Sequence, residues 1–558
     1  MLPSYIKNLE DRIAQLEIQL SQCNSTGNAS VSPAYLRPGG DAAGDAVGDF
    51  AQRYFHTAAS SQNTIAPDGQ ALLLDMLAEP VKTVTPFSQA SNRHRELLHD
   101  LQPEGETALP TKDAAKRLVD AYFEHCEFFS PVISSKDDLL RSLEALYGTE
   151  STNEARSSMG VESEATDMVT VRFWAFLVFG TAVLLLNRTD SSFPVSRAET
   201  YFQAAMTLLH KNTREICTGD ETHLSSLTLL VQYSCFASNL SVAWHFLGLA
   251  TRLAVELSLH NEIINHDGGA QEPSDATQRR RWLFWSVYTY ERNLCVILGR
   301  PFSIPDEAIH TPLPTVQDAD TRRVYALHLI KSRRLESEAY TTLHQLPPLN
   351  GAVLDLHLWR DSLKDRLISW RATIPFSSEG PTQLAPHDIF DGQLHNVLVF
   401  LFYPSACFPN PALQDLTILA HSAIESIGCY KRAFRDGHLR FYWRTIHNLF
   451  RAGVAAAYCL RASVTYFHPE LDHSTMTTSI NTCLSVLWAM VERYPSGKVY
   501  RDVFDNLATA VLKQADNSIG DTQSADFQFN LEPTLGQDNS AEFPQNAMDT
   551  IRWGFGDV

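Results

Sequence analysis

The residue types that could carry out chemistry in this 558-residue chain are scattered along it and form no recognisable catalytic group. The sequence has no glycine-rich phosphate loop, no paired-histidine zinc motif and no serine nucleophile motif. Its nine cysteines include no Cys-x-x-Cys pair, so neither a structural zinc site nor a disulfide framework is indicated. His94 and His99, like His468 and His473, are five residues apart, which misaligns each pair on a helix. We therefore predict that the chain is not an enzyme and holds no metal or cofactor of its own.

Aromatic residues form one candidate site for small-molecule binding. Trp244, His245, Trp282 and Tyr288 fall in segments whose apolar residues predict helices. Because aromatic-lined spaces between helices often bind small ligands, we expect a candidate effector pocket at these four residues. Core packing is the alternative for the aromatic residues, and an ordinary interhelical contact is the alternative for His245.

A single stretch of sequence predicts the helix that must position Trp282 and Tyr288. Asp275 with Gln278 three residues later has the signature of a helix start. The segment from Trp282 to Leu298 is apolar on almost every side, which predicts burial. Gly299 supplies a left-handed residue that can end a helix, and Pro301 forbids continuation. We predict one central buried helix followed by a sharp corner.

This stretch resembles the central motif of the regulatory domain in fungal zinc binuclear cluster transcription factors of the xylanolytic-activator type. That family has an arginine-rich start, then Phe-Trp, then Gly-Arg-Pro before an acidic segment. The matching residues here are Arg279, Arg280, Arg281, Phe284, Trp285, Gly299, Arg300 and Pro301. Residues 224–260 are similar to the helix pair that precedes the motif in the family. The resemblance covers about residues 110–345 and implies an all-helical regulatory domain.

The first 23 residues carry a heptad repeat. Its d positions are Leu2, Leu9 and Leu16, and its a positions are Ile6, Ile13 and Leu20. Isoleucine at a with leucine at d favours a parallel two-stranded coiled coil, so we predict that residues 1–23 form a dimerisation helix. The alternative is an amphipathic helix on the protein's own surface, since about three heptads is the lower limit for a coiled coil.

The composition of the following segments predicts a linker and one large helical domain. Residues 24–70 are rich in Gly, Ser, Ala, Asp and Asn, which predicts a flexible linker over 24–109 with room for short helices. Residues 110–515 show mostly helical apolar periods. Predicted later helices are Asp355–Ile374, Gln414–Phe434, Tyr442–Val464 and Thr477–Tyr494. The predicted fold class is all-α, a large multi-helix domain.

The last segment, residues 516–558, has eight acidic residues against one basic residue, Arg552. Aromatic residues are spaced through its polar sequence at Phe527, Phe529, Phe543, Trp553 and Phe555. This composition is typical of disordered acidic activation segments, which contact the transcription machinery. We predict a disordered acidic tail that acts as an activation segment. The alternative is a solubilising tail whose last residues dock on the helical domain.

Charge and hydropathy restrict the partners. With a net charge of −19 and no segregated basic patch, the chain as a whole repels phosphate backbones. The longest apolar run, Phe173–Leu186, is shorter than the roughly 20 residues that a membrane-spanning helix needs. We predict that this run is a core helix and that the chain has no membrane partner.

The resemblance implies a nuclear transcription regulator that acts by recruitment and regulated masking. In the family a six-cysteine zinc cluster comes just before such a dimerisation helix and binds DNA. These 558 residues hold no such cluster, so zinc is expected only if an upstream cluster exists, and DNA binding would need that cluster or a partner. The expected partners are DNA by one of those routes, a second copy or a relative, the transcription machinery and a small effector. Two alternatives stay open: a DNA-binding-deficient partner that modulates an intact family member and, more remotely, a helical small-molecule enzyme.

Overall fold

The computed structural model describes residues 107–152, 162–190, 192–262, 273–316, 320–345, 355–375, 387–437, 439, 441–466, 472–520 and 545–555. Within these ranges the regular elements are all helical and no strand occurs, which confirms the predicted all-α fold. The predicted dimerisation helix at residues 1–23 and nearly all of the predicted linker at 24–109 lie outside the described residues.

The helices are numbered here in chain order. Their bounds are α1 Lys112–Cys126, α2 Lys136–Thr152, α3 Glu162–Leu186, α4 Val195–Lys211, α5 Thr213–Ile216, α6 Glu221–Phe236, α7 Leu240–Glu256, α8 Asp275–Leu298, α9 Thr321–Tyr340, α10 Leu356–Ala372, α11 His387–Phe402, α12 Leu413–Arg435, α13 Tyr442–Tyr466, α14 His473–Val491, α15 Lys498–Gly520 and α16 Gln545–Phe555. Short 3₁₀ turns lie at Asp306–Ala308 and Pro495–Gly497, and a π-helical turn follows α9 at Thr341–Gln345.

Side-chain caps set where several helices begin. The carboxylate of Asp220 accepts the His223 N–H at 3.0 Å before α6, and a side-chain cap of this kind satisfies a backbone donor that the helix itself cannot. The four predicted later helices are present as α10, α12, α13 and α14. Helix α14 begins earlier than the predicted Thr477, because Asp472 accepts the Ser474 N–H at 3.0 Å.

Helix α3 is the buried centre of the N-terminal part of the described domain. Its segment Met168–Leu186 is apolar and long enough to cross a membrane by composition, yet 72% of it is buried inside the protein. Helices α1, α4 and α6 pack against it. Gly180 lets Tyr233 of α6 approach, since a Cβ there would lie 2.9 Å from the tyrosine ring. The prediction of a core helix over Phe173–Leu186 is confirmed.

A large hydrophobic core joins the helices from α8 to α16. Helix α13 runs through it with its apolar face fully buried and packs against α12, α14 and α15. Gly453 makes the close approach possible, because a Cβ at that position would lie 2.7 Å from the Cys483 sulfur. The second half of the chain is therefore built around α13.

The C-terminal segment corrects the predicted disordered tail in part. Residues 516–520 continue α15, and residues 545–555 form α16, which packs on α13 and α8. Ala547 and Ile551 are fully buried, and the Tyr403 hydroxyl donates to the Thr550 carbonyl at 2.7 Å. The acidic composition hid this apolar stripe, whose members lie four residues apart on one helix face. Residues 521–544 lie outside the described residues.

The docking of α16 predicts a stability effect. Replacing the fully buried side chain in Ile551→Ala should lower the free energy of unfolding by about 2–5 kcal/mol, because it removes apolar contacts and leaves a cavity. Urea denaturation would measure the change. Trp553→Ala is the matched control, since Trp553 on the same helix is 41% exposed and its loss should change stability by only about 0.5 kcal/mol. Equal effects of the two variants would contradict the docking.

Candidate functional site

Helix α8 and the turn that follows it, residues 299–306, form the centre of the candidate site. This turn is called the corner. The Ser274 hydroxyl accepts the Thr277 N–H at 3.2 Å and caps the helix. The helix therefore begins at the predicted Asp275, but its capping residue is Ser274 and not Asp275. Asp275 instead occupies the first turn. At the other end Gly299 has a φ of 68°, the left-handed conformation that the sequence predicted there. The Arg300 N–H closes the turn on the Cys295 carbonyl at 2.9 Å.

Arg292 is fully buried and ties the corner to α8 and α9. Its Nε donates to the Ser337 hydroxyl at 2.9 Å, and its Nη2 donates to the Ile304 carbonyl at 2.7 Å and to the Asp306 carboxylate at 3.1 Å. Its Nη1 donates to Glu291, the preceding residue. A guanidinium has five donors in a fixed fork, which suits a residue that must bind several elements at once.

The partners of Arg292 are themselves bound. Glu291 accepts the Ser303 backbone N–H at 2.6 Å, and the Tyr288 hydroxyl donates to Asp306 at 2.8 Å. The guanidinium also lies 4.3 Å from the ring centre of Tyr288 and 4.1 Å from that of Phe302. Helix end, corner and α9 are thus joined by one continuous network of charge-assisted bonds.

The groups around Arg292 and Tyr288 set the protonation states of these two side chains. Burial acts to lower the pKa of Arg292, but the adjacent Tyr288, Glu291 and Asp306 outweigh burial and hold that pKa above its ordinary value. Burial raises the pKa of the Tyr288 phenol. At neutral pH Arg292 is therefore a cation and Tyr288 is a neutral hydrogen-bond donor.

The sequence prediction of a helix that is apolar on almost every side missed this network. Glu291 and Arg292 are adjacent charged residues in the middle of the predicted buried segment. Charged side chains are rarely buried without partners, so their presence was the available signal that α8 needs polar contacts. Their partners in the corner and on α9 are not adjacent in sequence and could not be identified from it.

The three arginines at the start of the family motif have different surroundings. Arg279 is exposed. Arg280 is partly buried, pairs with Glu221 of α6 and donates to the Leu257 carbonyl at 3.1 Å. Arg281 is buried and binds Glu262 through two bonds of 2.7 Å. Arg280 and Arg281 therefore hold α8 against neighbouring elements.

The remaining motif residues pack around the same helix. Phe284 and Trp285 are buried and meet edge to face at 5.4 Å, and the Trp285 indole donates to the Pro312 carbonyl at 3.0 Å. The Arg300 guanidinium lies 4.5 Å from the ring centre of Trp244. Pro301 is exposed, and its carbonyl oxygen accepts a hydrogen bond from the Cys295 thiol at 3.4 Å. The motif is thus a set of packing and hydrogen-bonding residues that shapes the corner.

The four residues of the predicted effector pocket lie in different surroundings. Trp282 is buried, and the Arg323 guanidinium carbon lies 5.5 Å from its ring centre. Tyr288 is buried in the Arg292 network. Trp244 is half-buried against Arg300, and His245 is exposed, with its Nδ1 2.7 Å from the Ser241 carbonyl oxygen. A pocket that joins all four stays a prediction.

Comparison with known proteins identifies the class of domain. Residues 119–346 match the fungal-specific transcription factor domain, close to the predicted range of 110–345. The matched range contains α8, the corner and every residue of the Arg292 network. This range of the chain is therefore similar to the fungal-specific transcription factor domain.

Relatives with this similarity are regulators by name. The positive regulator of purine utilization of Emericella nidulans is 21% identical over 74% of this chain and 48% of its own length. Pyrimidine pathway regulatory protein 1 of Saccharomyces cerevisiae is 28% identical over 42% of the chain and 28% of its own length. The lactose regulatory protein LAC9 of Kluyveromyces lactis is 26% identical over 44% of the chain and 24% of its own length. The chain thus spans about half, or less, of the length of these relatives.

The Arg292 network predicts a large cost of truncation. Arg292→Ala should lower the free energy of unfolding by about 3–5 kcal/mol, because it leaves the buried Glu291 carboxylate and the partly buried Asp306 carboxylate without their cation. Urea denaturation would measure the loss, and limited proteolysis would show cleavage between residues 299 and 316 at lower protease concentration.

Two further variants make this test specific. Arg279→Ala in the same motif should change stability by only about 0.5 kcal/mol, since Arg279 is exposed. The free energy of unfolding of Arg292→Lys should lie between those of the other two variants. Lysine keeps the positive charge but lacks the planar set of donors of the guanidinium group. An Arg292→Ala chain as stable as the Arg279→Ala chain would contradict the structural role of the network.

Proposed function

We propose that this chain is a fungal transcription regulator that acts by recruitment and regulated masking rather than by chemistry. The observation that supports this function is the match of residues 119–346 to the fungal-specific transcription factor domain, together with relatives whose names describe regulators. In this proposal the helical domain from residue 110 to 515 is the regulatory body, and the chain works in the nucleus.

DNA contact in this proposal does not come from the helical body. The net charge of −19 opposes phosphate binding, and the 558 residues contain no Cys-x-x-Cys pair. Cysteines in the described ranges form no disulfide and are all buried except Cys407, and those ranges contain no group of three residues suited to a metal ion. DNA would therefore be reached through a six-cysteine zinc cluster outside these residues or through a partner that has one.

Pairing in this proposal goes through residues 1–23, with a second copy or with an intact relative. The heptad supports it, because six apolar residues per helix would face a partner. Pairing with an intact relative would also give a chain without its own cluster a route to DNA.

The proposed activation segment is shorter than the composition suggested. Residues 545–555 pack on the body as α16, so their aromatic residues Trp553 and Phe555 belong to a docked helix. Phe527, Phe529 and Phe543 remain as the aromatic residues of the acidic stretch between α15 and α16. We assign contact with the transcription machinery to these three.

A tethering experiment tests the proposed function. The full chain fused to an unrelated DNA-binding domain should raise expression of a reporter in a fungal host, because recruitment needs only proximity to the promoter. Replacing Phe527, Phe529 and Phe543 together by alanine should remove most of that increase. The control replaces Val195, Leu358 and Ile368, which are exposed on the folded domain, by alanine. A fusion that leaves expression unchanged contradicts the function, and unaltered activity of the Phe variant contradicts the segment.

A second experiment tests pairing. The double variant Ile6→Lys with Ile13→Lys places two charges in the predicted seam and should convert a dimer into a 62.4 kDa monomer in sedimentation velocity. Asp11→Lys adds the same net charge at an outward heptad position and should leave the dimer intact. The pairing proposal fails if the unmodified chain sediments as a monomer across the concentration range, or if both variants behave alike.

A further inference from the structure

A small cavity lies between α8 and α9. It measures about 40 Å³, against roughly 10–15 Å³ for one water by the same measure. The loop after α1, helix α8, helix α9 and the start of α13 enclose it. Its lining residues are Phe129, Ser130, Thr289, Tyr290, Asn293, Leu329, Arg333, Phe441 and Arg444. The cavity therefore has room for a group of a few heavy atoms.

Arginine side chains bring an excess of positive charge to this cavity. Arg333 is buried, pairs with Glu336 and donates to the Gln393 side-chain oxygen at 2.6 Å. Arg444 donates to the same oxygen at 3.0 Å and lies 3.6 Å from the Glu336 carboxylate. Arg451, also buried, donates to the Asn448 side chain at 3.4 Å, and its Nη1 has no hydrogen-bond partner among the described residues. Two guanidinium groups that line the cavity, and a third at Arg451 that interacts electrostatically with the same Glu336, thus share one described carboxylate.

The balance of charge disfavours this cluster as it stands. Burial, followed by repulsion from Arg444, lowers the pKa of Arg333 to about 10. Burial lowers the pKa of Arg451 to about 10 as well, against the attraction of Glu336. His447, fully buried beside these arginines, has its pKa lowered by burial and by their charge, so it adds no compensating group. A buried cation is stable when a negative charge accompanies it.

Neutral donors also point to a missing acceptor. Ser130 and Tyr290 line the cavity and are only 3% and 2% exposed. The Tyr290 hydroxyl lies near the Ser130 and Gln232 side chains, yet neither hydroxyl makes a hydrogen bond of ordinary geometry with the described residues. Water could satisfy these hydroxyls, since the site is polar and roomy enough. Water could not neutralise the surplus guanidinium charge. An anion would do both.

We infer that this cavity binds a small oxyanion, either a carboxylate or a phosphate group, held by Arg333 and Arg444 with Ser130 and Tyr290 as further donors. Guanidinium forks match the geometry of carboxylate and phosphate oxygens, which favours these anions over a spherical halide. The group could be a free ion or the acidic end of a larger molecule. None of the residues that line this cavity belongs to the predicted pocket at Trp244, His245, Trp282 and Tyr288. Binding here does not depend on the proposed function, so either can fail without the other.

Titration of the full purified chain with sodium phosphate or sodium acetate tests the inference, with sodium chloride at equal ionic strength as reference. Each oxyanion that binds should raise Tm in a saturable way beyond the effect of chloride. Comparing acetate with phosphate identifies the preferred group. Isothermal titration would then give the Kd of that anion.

Two variants connect the binding to the cavity. Arg444→Gln should raise the Kd at least about tenfold, because it removes one charge-assisted hydrogen-bond donor. Tyr290→Phe removes a single oxygen, keeps the ring that packs in the core, and should also weaken binding. Arg435→Gln is the control, since the Arg435 side chain is 72% exposed on α12 and should leave the Kd unchanged.

Two results would overturn the inference. One is a Tm that responds to phosphate and acetate no more than to chloride. The other is a saturable response that persists unchanged in both Arg444→Gln and Tyr290→Phe. Should Arg444→Gln fail to fold, Tyr290→Phe alone decides, because its change leaves the packing intact.

Discussion

A cation that water does not reach holds the central part of this domain together. Arg292 must be paired because a buried guanidinium without acceptors would cost several kcal/mol. Its acceptors come from α8 itself, from the corner and from α9, so the left-handed turn at Gly299 and the position of α9 are fixed by the same side chain. The family motif is best understood as the part of the sequence that builds this corner.

Two buried polar networks meet on α9. Ser337 belongs to the Arg292 network, whereas the preceding residue Glu336 is the carboxylate of the cluster around Arg333 and Arg444. The first network has two carboxylates for one guanidinium, and the second has one carboxylate for three. Adjacent residues on one helix therefore serve networks of opposite charge balance. A rotation of α9 would change contacts in both.

Local features of the sequence predicted much of the fold. Gly299 and Pro301 marked the end of α8 because helix termination depends on backbone conformation, which a single residue can set. The capping residue was placed one position late, since Ser274 and Asp275 are both good caps and only geometry separates them.

Features that depend on distant residues were not predictable in the same way. The acceptors of Arg292 lie up to 45 positions away along the chain, and the cluster around Arg333 draws on α9, α11 and α13. Docking of the last residues, now seen as α16, was only the alternative prediction, because the acidic composition of the segment favoured a disordered tail. The buried residues Ala547 and Ile551 form a stripe too short to stand out.

The docked helix α16 gives the acidic stretch two attachment points. Helix α15 ends at Gly520 and α16 begins at Gln545, and both pack on α13. The residues between them are consequently a tether closed at both ends, with no free chain terminus. Cleaving one peptide bond in that tether would leave both fragments on the protein. A protein that binds this stretch must bind it between two helices, because the stretch has no free end over which a ring-shaped partner could pass.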